Sequence, residues 1–221
     1  AYLQYDLVDG FVANWLLAGP VADPPPEGDG APTAQSSAIL DPTSWQVVEG
    51  ATLRYGSEAA TWRNVACGDD RLLDVTPSPL LASAAGSSLV WAYVELDAPG
   101  EQDVTLLLAG CGIASLWASE AHVVADRPLP GLLREGLALP VRLRAGANRL
   151  FLRLRLEPHS SGPAAVALRL AGGSEGLFVR VPVAEGSGIA HRQQVEAAVT
   201  SGYIERDVVA GDEELVVKWP P

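Results

Sequence analysis

The tryptophans are the residues in this sequence whose chemistry is most informative. The chain has six of them in 221 residues, and an exposed indole ring offers a flat apolar surface on which a sugar ring can stack. Trp45 follows a loop rich in proline and glycine, and Trp62 is followed by Arg63 and Asn64. We therefore predict a carbohydrate ligand bound by Trp45, Trp62 and Arg63. Core packing is the alternative for both rings. It is favoured for Trp62 and remains open for Trp45.

Three carboxylates form a second candidate site. Asp69, Asp70 and Asp74 follow Cys67 in a predicted turn, and carboxylate oxygens suit Ca²⁺, which takes about six to eight oxygen ligands. Their spacing does not match an EF-hand loop, and an aspartate-rich turn can equally be solvated. A structural calcium ion and the absence of any cofactor are both compatible with this pattern.

Arginines alternate with leucines in several predicted strands. If these strands are neighbours, the arginines form one field on an outer sheet face, where their forked donors would recognise an acidic sugar or an acidic partner surface. A solvated sheet face with cross-strand partners is the simpler alternative, and we favour it. The residues concerned are Arg142, Arg144, Arg149, Arg153, Arg155 and Arg169.

Motifs of catalysis are missing from the sequence, so we do not expect an enzyme. The three histidines, His122, His159 and His191, are scattered, and no Gly-x-Ser-x-Gly, His-Glu-x-x-His or phosphate-binding glycine loop occurs. The two cysteines, Cys67 and Cys111, fit no zinc pattern. One disulfide and two thiols are both compatible with their spacing.

Composition restricts the class of partner. A formal net charge of −12 argues against nucleic acid and anionic membranes. No apolar run approaches the roughly 18 residues of a membrane-spanning helix. The first residues also lack the basic region and apolar core of a signal peptide. The compartment therefore stays open, while 48% hydrophobic residues are enough for a sizeable core.

Strand periodicity dominates the chain. In residues 148–156 the leucines occupy every second position, which is typical of a half-buried strand. Residues 88–97 are apolar on both faces, as in a central strand. Trp15 and Leu17 share one parity and should face the core together, with Gly19-Pro20 ending that strand. Many short strands separated by regular turns predict a sandwich or a barrel.

Two segments depart from this pattern. Residues 22–43 are rich in Pro, Gly, Ala and Asp and predict a flexible surface loop. Residues 188–202 predict a short amphipathic helix, and residues 213–221 begin as a strand. We therefore divide the chain into a β-sandwich, residues 1–182, and a linker or start of a following domain, residues 183–221.

The order of these segments resembles a known family. Leu143, Gly146, Asn148 and Leu150 match a Leu-x-x-Gly-x-Asn-x-Leu element, and Trp117 matches the tryptophan of a Trp-Leu-Asn-Gly hairpin whose Asn-Gly is absent here. Over residues 3–172 the chain is similar to the jelly-roll, galactose-binding-like accessory domains of large bacterial glycoside hydrolases, such as α-mannosidase-like and rhamnosidase-like enzymes.

The resemblance implies both a fold and a function. The fold would be an all-β jelly-roll β-sandwich with a short C-terminal helix and terminal strand, and such domains often hold a structural calcium ion. The function would be that of a non-catalytic accessory module that binds glycan weakly through loop aromatics. The alternative is a structural module without a ligand, docked to neighbouring domains of a larger chain.

Overall fold

The computed structural model describes most of the chain as antiparallel β-structure. The described residues are 1–23, 42–55, 58–76, 86–132, 135–157 and 164–184, together with 188, 192, 195 and the backbone of 203–206 and 215–218. The sheets pack as a sandwich, which confirms the predicted all-β class. The chain divides into two compact units, one of residues Tyr2–Val183 and one of Ala1 with Ala184–Pro221. Most of the predicted loop 22–43 lies outside the described residues.

Fourteen strands and one short 3₁₀ helix, Pro42–Ser44, make up the described part of the larger unit. The strands are β1 (Tyr2–Asp6), β2 (Asn14–Ala22), β3 (Thr52–Tyr55), β4 (Glu58–Thr61), β5 (Arg63–Ala66), β6 (Leu73–Asp74), β7 (Ser88–Ala98), β8 (Gln102–Gly110), β9 (Ile113–Ala118), β10 (Ala121–Pro128), β11 (Leu137–Leu143), β12 (Gly146–Leu156), β13 (Ala165–Leu170) and β14 (Phe178–Pro182).

Eight consecutive strands, β6 to β13, have the order of a jelly roll. One sheet runs β11-β8-β13-β6, and the other contains the run β7-β12-β9-β10, so that successive strands mostly alternate between the two sheets. The second sheet is enlarged by β14 and β1 beyond β7, and by β2, which pairs with both β7 and β5. We call these the smaller and the larger sheet.

The main core lies between the two sheets. The larger sheet contributes the leucines of β12, from Leu150 to Leu156, and the smaller sheet contributes residues such as Leu106 and Leu168. These side chains are buried because a strand directs every second residue to the same face. The Asn148 side chain is also buried and accepts from the backbone N–H of Arg144 at 2.8 Å. The asparagine of the matched sequence element therefore fastens the β11–β12 turn.

Strand β2 shows where the sequence reading was correct and where it was not. Trp15 and Leu17 are both buried, as predicted. Gly19-Pro20 does not end the strand, which continues to Ala22 after a register shift against β7. Gly19 has φ +111°, and a Cβ at this position would lie 2.7 Å from the carbonyl oxygen of Leu89. Glycine therefore permits the close approach at the shift.

The smaller unit contains an antiparallel pair, β15 (Tyr203–Arg206) with β16 (Leu215–Lys218), so the predicted terminal strand is present. Of the predicted helix 188–202, Arg192 and Val195 are helical, and the Arg192 N–H donates to the Gly188 carbonyl at 2.9 Å. The rest of that segment lies outside the described residues. Within the described part of the chain, no helix has the length and apolar character to cross a membrane.

Candidate functional site

The outer face of the larger sheet is covered by the chain itself along the central strands β7 and β12. Trp91 and Tyr93 of β7 and Phe151 of β12 point away from the core between the sheets, yet they are at most 1% exposed. Residues 42–62, of which 56 and 57 are not described, contact this face through Thr43, Trp45 and Trp62, and we call them the covering segment. They contain both predicted ligand-binding tryptophans, Trp45 and Trp62.

Trp45 lies on this face and is half-buried. Its ring is tilted against that of Trp91, with centroids 4.8 Å apart, and meets Phe151 edge-on at 6.2 Å. Such tilted and edge-on pairs are favourable geometries for aromatic rings. One side of the indole is therefore fixed by the sheet, while part of the ring stays accessible.

Trp62 has a different environment. It is only 2% exposed and packs edge-on against Tyr93, with centroids 6.4 Å apart. This burial leaves no ring face for a ligand and agrees with the favoured core alternative for Trp62. Arg63, which follows it at the start of β5, is exposed. The structure thus brings Trp45 and Trp62 to one face but leaves only Trp45 accessible there.

Four rings form a continuous series across this face, which we call the aromatic ladder: Trp45, Trp91, Trp117 and His122. Trp91 and Trp117 stack at 5.9 Å, and Trp117 and His122 stack at 4.3 Å with an angle of only 4° between their planes. His122 is exposed, whereas Trp117 is buried. The ladder therefore has two accessible ends, at Trp45 and at His122.

Sequence reasoning treated His122 as a scattered histidine. It lies directly opposite Trp117 in the register of the β9–β10 hairpin, and facing residues in a hairpin are in contact. The short turn at Ser119-Glu120 was the available signal, because residues placed symmetrically about it must pair.

Polar side chains border the ladder. The Arg153 guanidinium lies over Trp91 and Trp117, at 5.9 and 5.7 Å from the ring centroids. Its Nη2 donates to Asp126 Oδ1 at 2.6 Å and to Ser115 Oγ at 3.1 Å. These contacts place an arginine, a carboxylate and a hydroxyl beside two of the rings.

Tyr55 and Asp23 extend this border. Burial raises the pKa of Tyr55, and the nearby Asp23 raises it further while Arg153 lowers it. Asp23 Oδ2 also accepts from Ser87 Oγ at 3.1 Å. We call the side chains of Asp23, Tyr55, Asp126 and Arg153 the polar rim. Ser115 is fully buried and contacts Arg153 and Asp126 through its hydroxyl. The polar rim supplies donors and acceptors of the kind that sugar hydroxyls need.

The single arginine field, which was the less favoured alternative from the sequence, is not formed. Arg149, Arg153 and Arg155 are on β12 of the larger sheet, whereas Arg142 and Arg169 are on strands of the smaller sheet. The jelly-roll order places these strands in opposite layers, so their outward faces point to opposite sides of the sandwich.

The predicted calcium ligands mainly serve their own turns. Asp70 Oδ1 accepts from the Leu72 N–H at 3.1 Å, and Asp74 Oδ1 accepts from the Thr76 N–H at 2.8 Å. Hydrogen bonds from Thr76 lower the pKa of Asp74. Among the described residues, no three His, Cys, Asp or Glu side chains are grouped to hold a metal ion. Calcium binding by Asp69, Asp70 and Asp74 stays a prediction.

The remaining candidates are placed as follows. Cys67 and Cys111 are both free thiols. Burial raises the pKa of the Cys67 thiol to about 11, and its Sγ lies 3.7 Å from the Val12 carbonyl oxygen. His159 and His191 lie outside the described residues.

Comparison with known proteins yields one weak structural similarity. No protein-family model matches the chain, and no curated protein matches it. Among solved structures, it is similar to a GH31 alpha-xylosidase from Xanthomonas citri, with 14% sequence identity and a TM-score of 0.29. This weak similarity covers 45% of the chain but only 11% of the xylosidase chain. It carries no argument about activity.

Proposed function

We propose that this chain is a non-catalytic accessory module of a carbohydrate-active enzyme and that it binds glycan weakly at the aromatic ladder. The observation that carries the proposal is the half-buried Trp45 ring, which packs against the Trp91 ring. The Arg153 guanidinium lies over that same Trp91 ring. A sugar has an apolar face and polar edges, so its binding site needs a ring together with directed hydrogen-bonding groups.

The residues have distinct roles in this proposal. Trp45 stacks on the sugar face, and the polar rim contacts the hydroxyl groups. Trp91 supports Trp45 from below, and Trp62 holds the covering segment on the sheet. His122 offers a second, smaller ring at the far end of the ladder.

The affinity is expected to be weak. The inner rings are at most 2% exposed, so a ligand gains direct contact only with Trp45, His122 and the rim. A small contact area has to compensate for the ordering of a flexible sugar, which limits the net free energy of binding.

A glycan array probed with the 221-residue protein tests this proposal, followed by calorimetric titration of the strongest glycan. Trp45→Ala should weaken binding about tenfold or more, because the stacking surface is removed. Tyr2→Ala is the matched control, since Tyr2 is an exposed aromatic residue, at 42%, on strand β1 of the same sheet. Its affinity should equal that of the unmodified protein. The proposal is contradicted if the folded protein binds no glycan on the array. It is also contradicted if Trp45→Ala binds glycan with the affinity of the unmodified protein.

A second candidate function is a structural module that docks to a neighbouring domain. It is supported by Tyr2 and Phe178, two exposed aromatic side chains on β1 and β14 at one end of the larger sheet. Arg180 lies between their strand positions, 3.9 Å from the Tyr2 ring centroid and 3.1 Å from Asp97 Oδ2. Rings framed by charges are typical of protein interfaces.

This alternative has its own test. If the chain is part of a longer protein, Phe178→Ala should lower the melting temperature of that longer protein more than that of the 221-residue chain. Equal effects in the two proteins argue against docking through this end of the sheet.

A further inference from the structure

Arg149 connects the larger sheet to the covering segment. It lies on the outer face of β12, directly opposite Glu95 of β7. Its guanidinium is over the rings of Tyr93 and Phe151, at 5.6 and 5.0 Å from their centroids. The Arg149 guanidinium therefore lies on the outer face of the sheet, beside the rings that Trp45 contacts.

All three guanidinium nitrogens of Arg149 donate hydrogen bonds. Nη1 donates to the carbonyl oxygen of Thr43 at 2.6 Å, and Nη2 donates to the carbonyl oxygen of Trp45. Nε donates to the Tyr93 hydroxyl at 3.1 Å. The two carbonyls belong to the 3₁₀ turn and to the residue after it, so one side chain fixes the backbone on both sides of Ser44.

We propose that Arg149 is the positioning residue for Trp45: it holds the indole at the accessible end of the aromatic ladder and thereby sets the affinity for glycan. The inference rests on the proposed function for its effect on affinity. Its structural part, the fixed placement of Trp45 by Arg149, is independent of any ligand.

Tyr93 and Glu95 orient the arginine. The Tyr93 hydroxyl accepts from Arg149 and donates to Glu95 Oε1 at 2.8 Å. Burial and the Glu95 carboxylate raise the pKa of Tyr93 well above its usual range, so the hydroxyl keeps the proton that it donates. Arg180 approaches the other oxygen of Glu95, with Nε 3.9 Å from Oε2. Glu95, which is itself buried, is thus held from the opposite side of β7.

Lysine cannot replace Arg149 in this role. A guanidinium presents donors in a rigid planar fork and lies flat on aromatic rings, whereas an ammonium group is a single point of charge. Arg149→Lys would keep the charge and most of the length of the side chain. It would lose the simultaneous contacts to the two carbonyl oxygens and to Tyr93.

The test follows Trp45 directly. The protein is labelled with 5-fluorotryptophan, and the ¹⁹F resonance of Trp45 is assigned by its absence in Trp45→Phe. We expect Arg149→Lys to shift or broaden this resonance and to weaken glycan binding about tenfold, as the loss of hydrogen bonds from a charged group implies. Tyr93→Phe keeps the ring and removes the hydroxyl, and it should produce a smaller change in the same direction.

Arg155→Lys is the matched control. Arg155 lies on the same strand and faces the same side, but its Nε lies 4.0 Å from Glu157 Oε1. This variant should leave both the Trp45 resonance and the affinity unchanged. An Arg149→Lys protein whose Trp45 resonance matches that of the unmodified protein overturns the inference.

The two proposals can fail separately. If no glycan is bound, the proposed function fails, while a displaced Trp45 resonance in Arg149→Lys still supports the positioning role. If glycan is bound and Arg149→Lys leaves the affinity unchanged, the positioning role is overturned and the proposed function stands.

Discussion

The two outer faces of the sandwich are built from similar strands but differ in what covers them. On the larger sheet, Trp91, Tyr93 and Phe151 are fully enclosed beneath the covering segment. On the smaller sheet, the outward residues of β8 and β11, such as Asp103 and Arg142, are exposed. They line a shallow depression of about 350 Å³. The alternation of apolar and polar residues alone does not distinguish a solvated face from a second core.

The arginines show the consequence of this difference. Arg142 on the smaller sheet pairs with Glu101 at 2.7 Å, and both side chains are more than half exposed. Arg149 on the larger sheet lies over two rings and fixes two backbone carbonyls. Arginine in the same strand pattern thus forms an exposed ion pair on the smaller sheet, whereas on the larger sheet it binds the backbone of the covering segment. The covering segment, rather than the strand, therefore decides the role of the arginine.

The largest expected effect comes from removing a ring beneath the covering segment. Trp91→Ala should lower the free energy of unfolding by about 3–5 kcal/mol, because Trp91 is fully buried and its loss leaves a cavity. Thr105→Ala, on the outer face of the smaller sheet, should change it by less than about 0.5 kcal/mol. Urea denaturation of the two variants measures both values. Similar losses for both would remove the distinction between the faces.

A second variant separates ring volume from indole chemistry. Within the described part of the protein, the buried Nε1 of Trp91 has no hydrogen-bond partner, and an unpartnered buried donor is itself unfavourable. Trp91→Phe keeps a ring and removes that donor, so its cost should be well below that of Trp91→Ala. If both variants cost the same, cavity formation does not explain the loss.

The next prediction concerns how well the thiol of Cys67 is enclosed at the end of β5. Cys67 directly follows β5, and its backbone N–H donates to the Ala13 carbonyl at 2.7 Å. Burial raises the pKa of its thiol from 9.0 to about 11, which reduces the reactive thiolate at pH 8 about 100-fold. In a Cys111→Ser background, reaction with a disulfide reagent should be slower by about this factor in the folded than in the unfolded protein. Equal rates would mean that the thiol is not enclosed.

The raised pKa of Cys67 also gives a pH dependence of stability. The folded thiol keeps its proton at pH values where the unfolded thiol has lost it, so its contribution is complete below pH 9 and is lost as the pH rises through about 11. The difference in free energy of unfolding between the unmodified protein and Cys67→Ala should therefore shrink over this interval. A constant difference contradicts the assignment.

The fold was largely predictable because it depends on local patterns. Alternating leucines in β12 and the matching pattern in β8 and β13 reveal half-buried strands, and burial then follows from the two-residue period. The register shift at Gly19 was not predictable, since it depends on the approach of Leu89 from another strand. Periodicity describes a strand but does not say which layer or neighbour it meets.

The candidate site was less predictable for the same reason. Trp45 and Trp62 were singled out by residue type and local sequence, but their different exposure depends on the fold of the covering segment over β7 and β12. Arg149 was interpreted as a residue of a solvated sheet face or, alternatively, of an outer arginine field, because nothing near it in sequence reveals its contacts with the carbonyls of Thr43 and Trp45. Contacts between segments about a hundred residues apart cannot be derived from strand parity.

The smallest expected effect compares one ion pair from each outer face. Arg153 and Asp126 pair at 2.6 Å, and the arginine side chain is only 21% exposed. A double-mutant cycle with Arg153→Met and Asp126→Asn should give a coupling of about 1 kcal/mol, and this coupling should persist in part at high salt, since the arginine lies against two rings. The same cycle on Arg142 and Glu101 should give a smaller coupling that disappears at high salt, because exposed pairs are weak and screened. Equal couplings with equal salt dependence would show that the covering segment does not change the dielectric environment of the sheet, and the contrast between the two faces would then be one of packing alone.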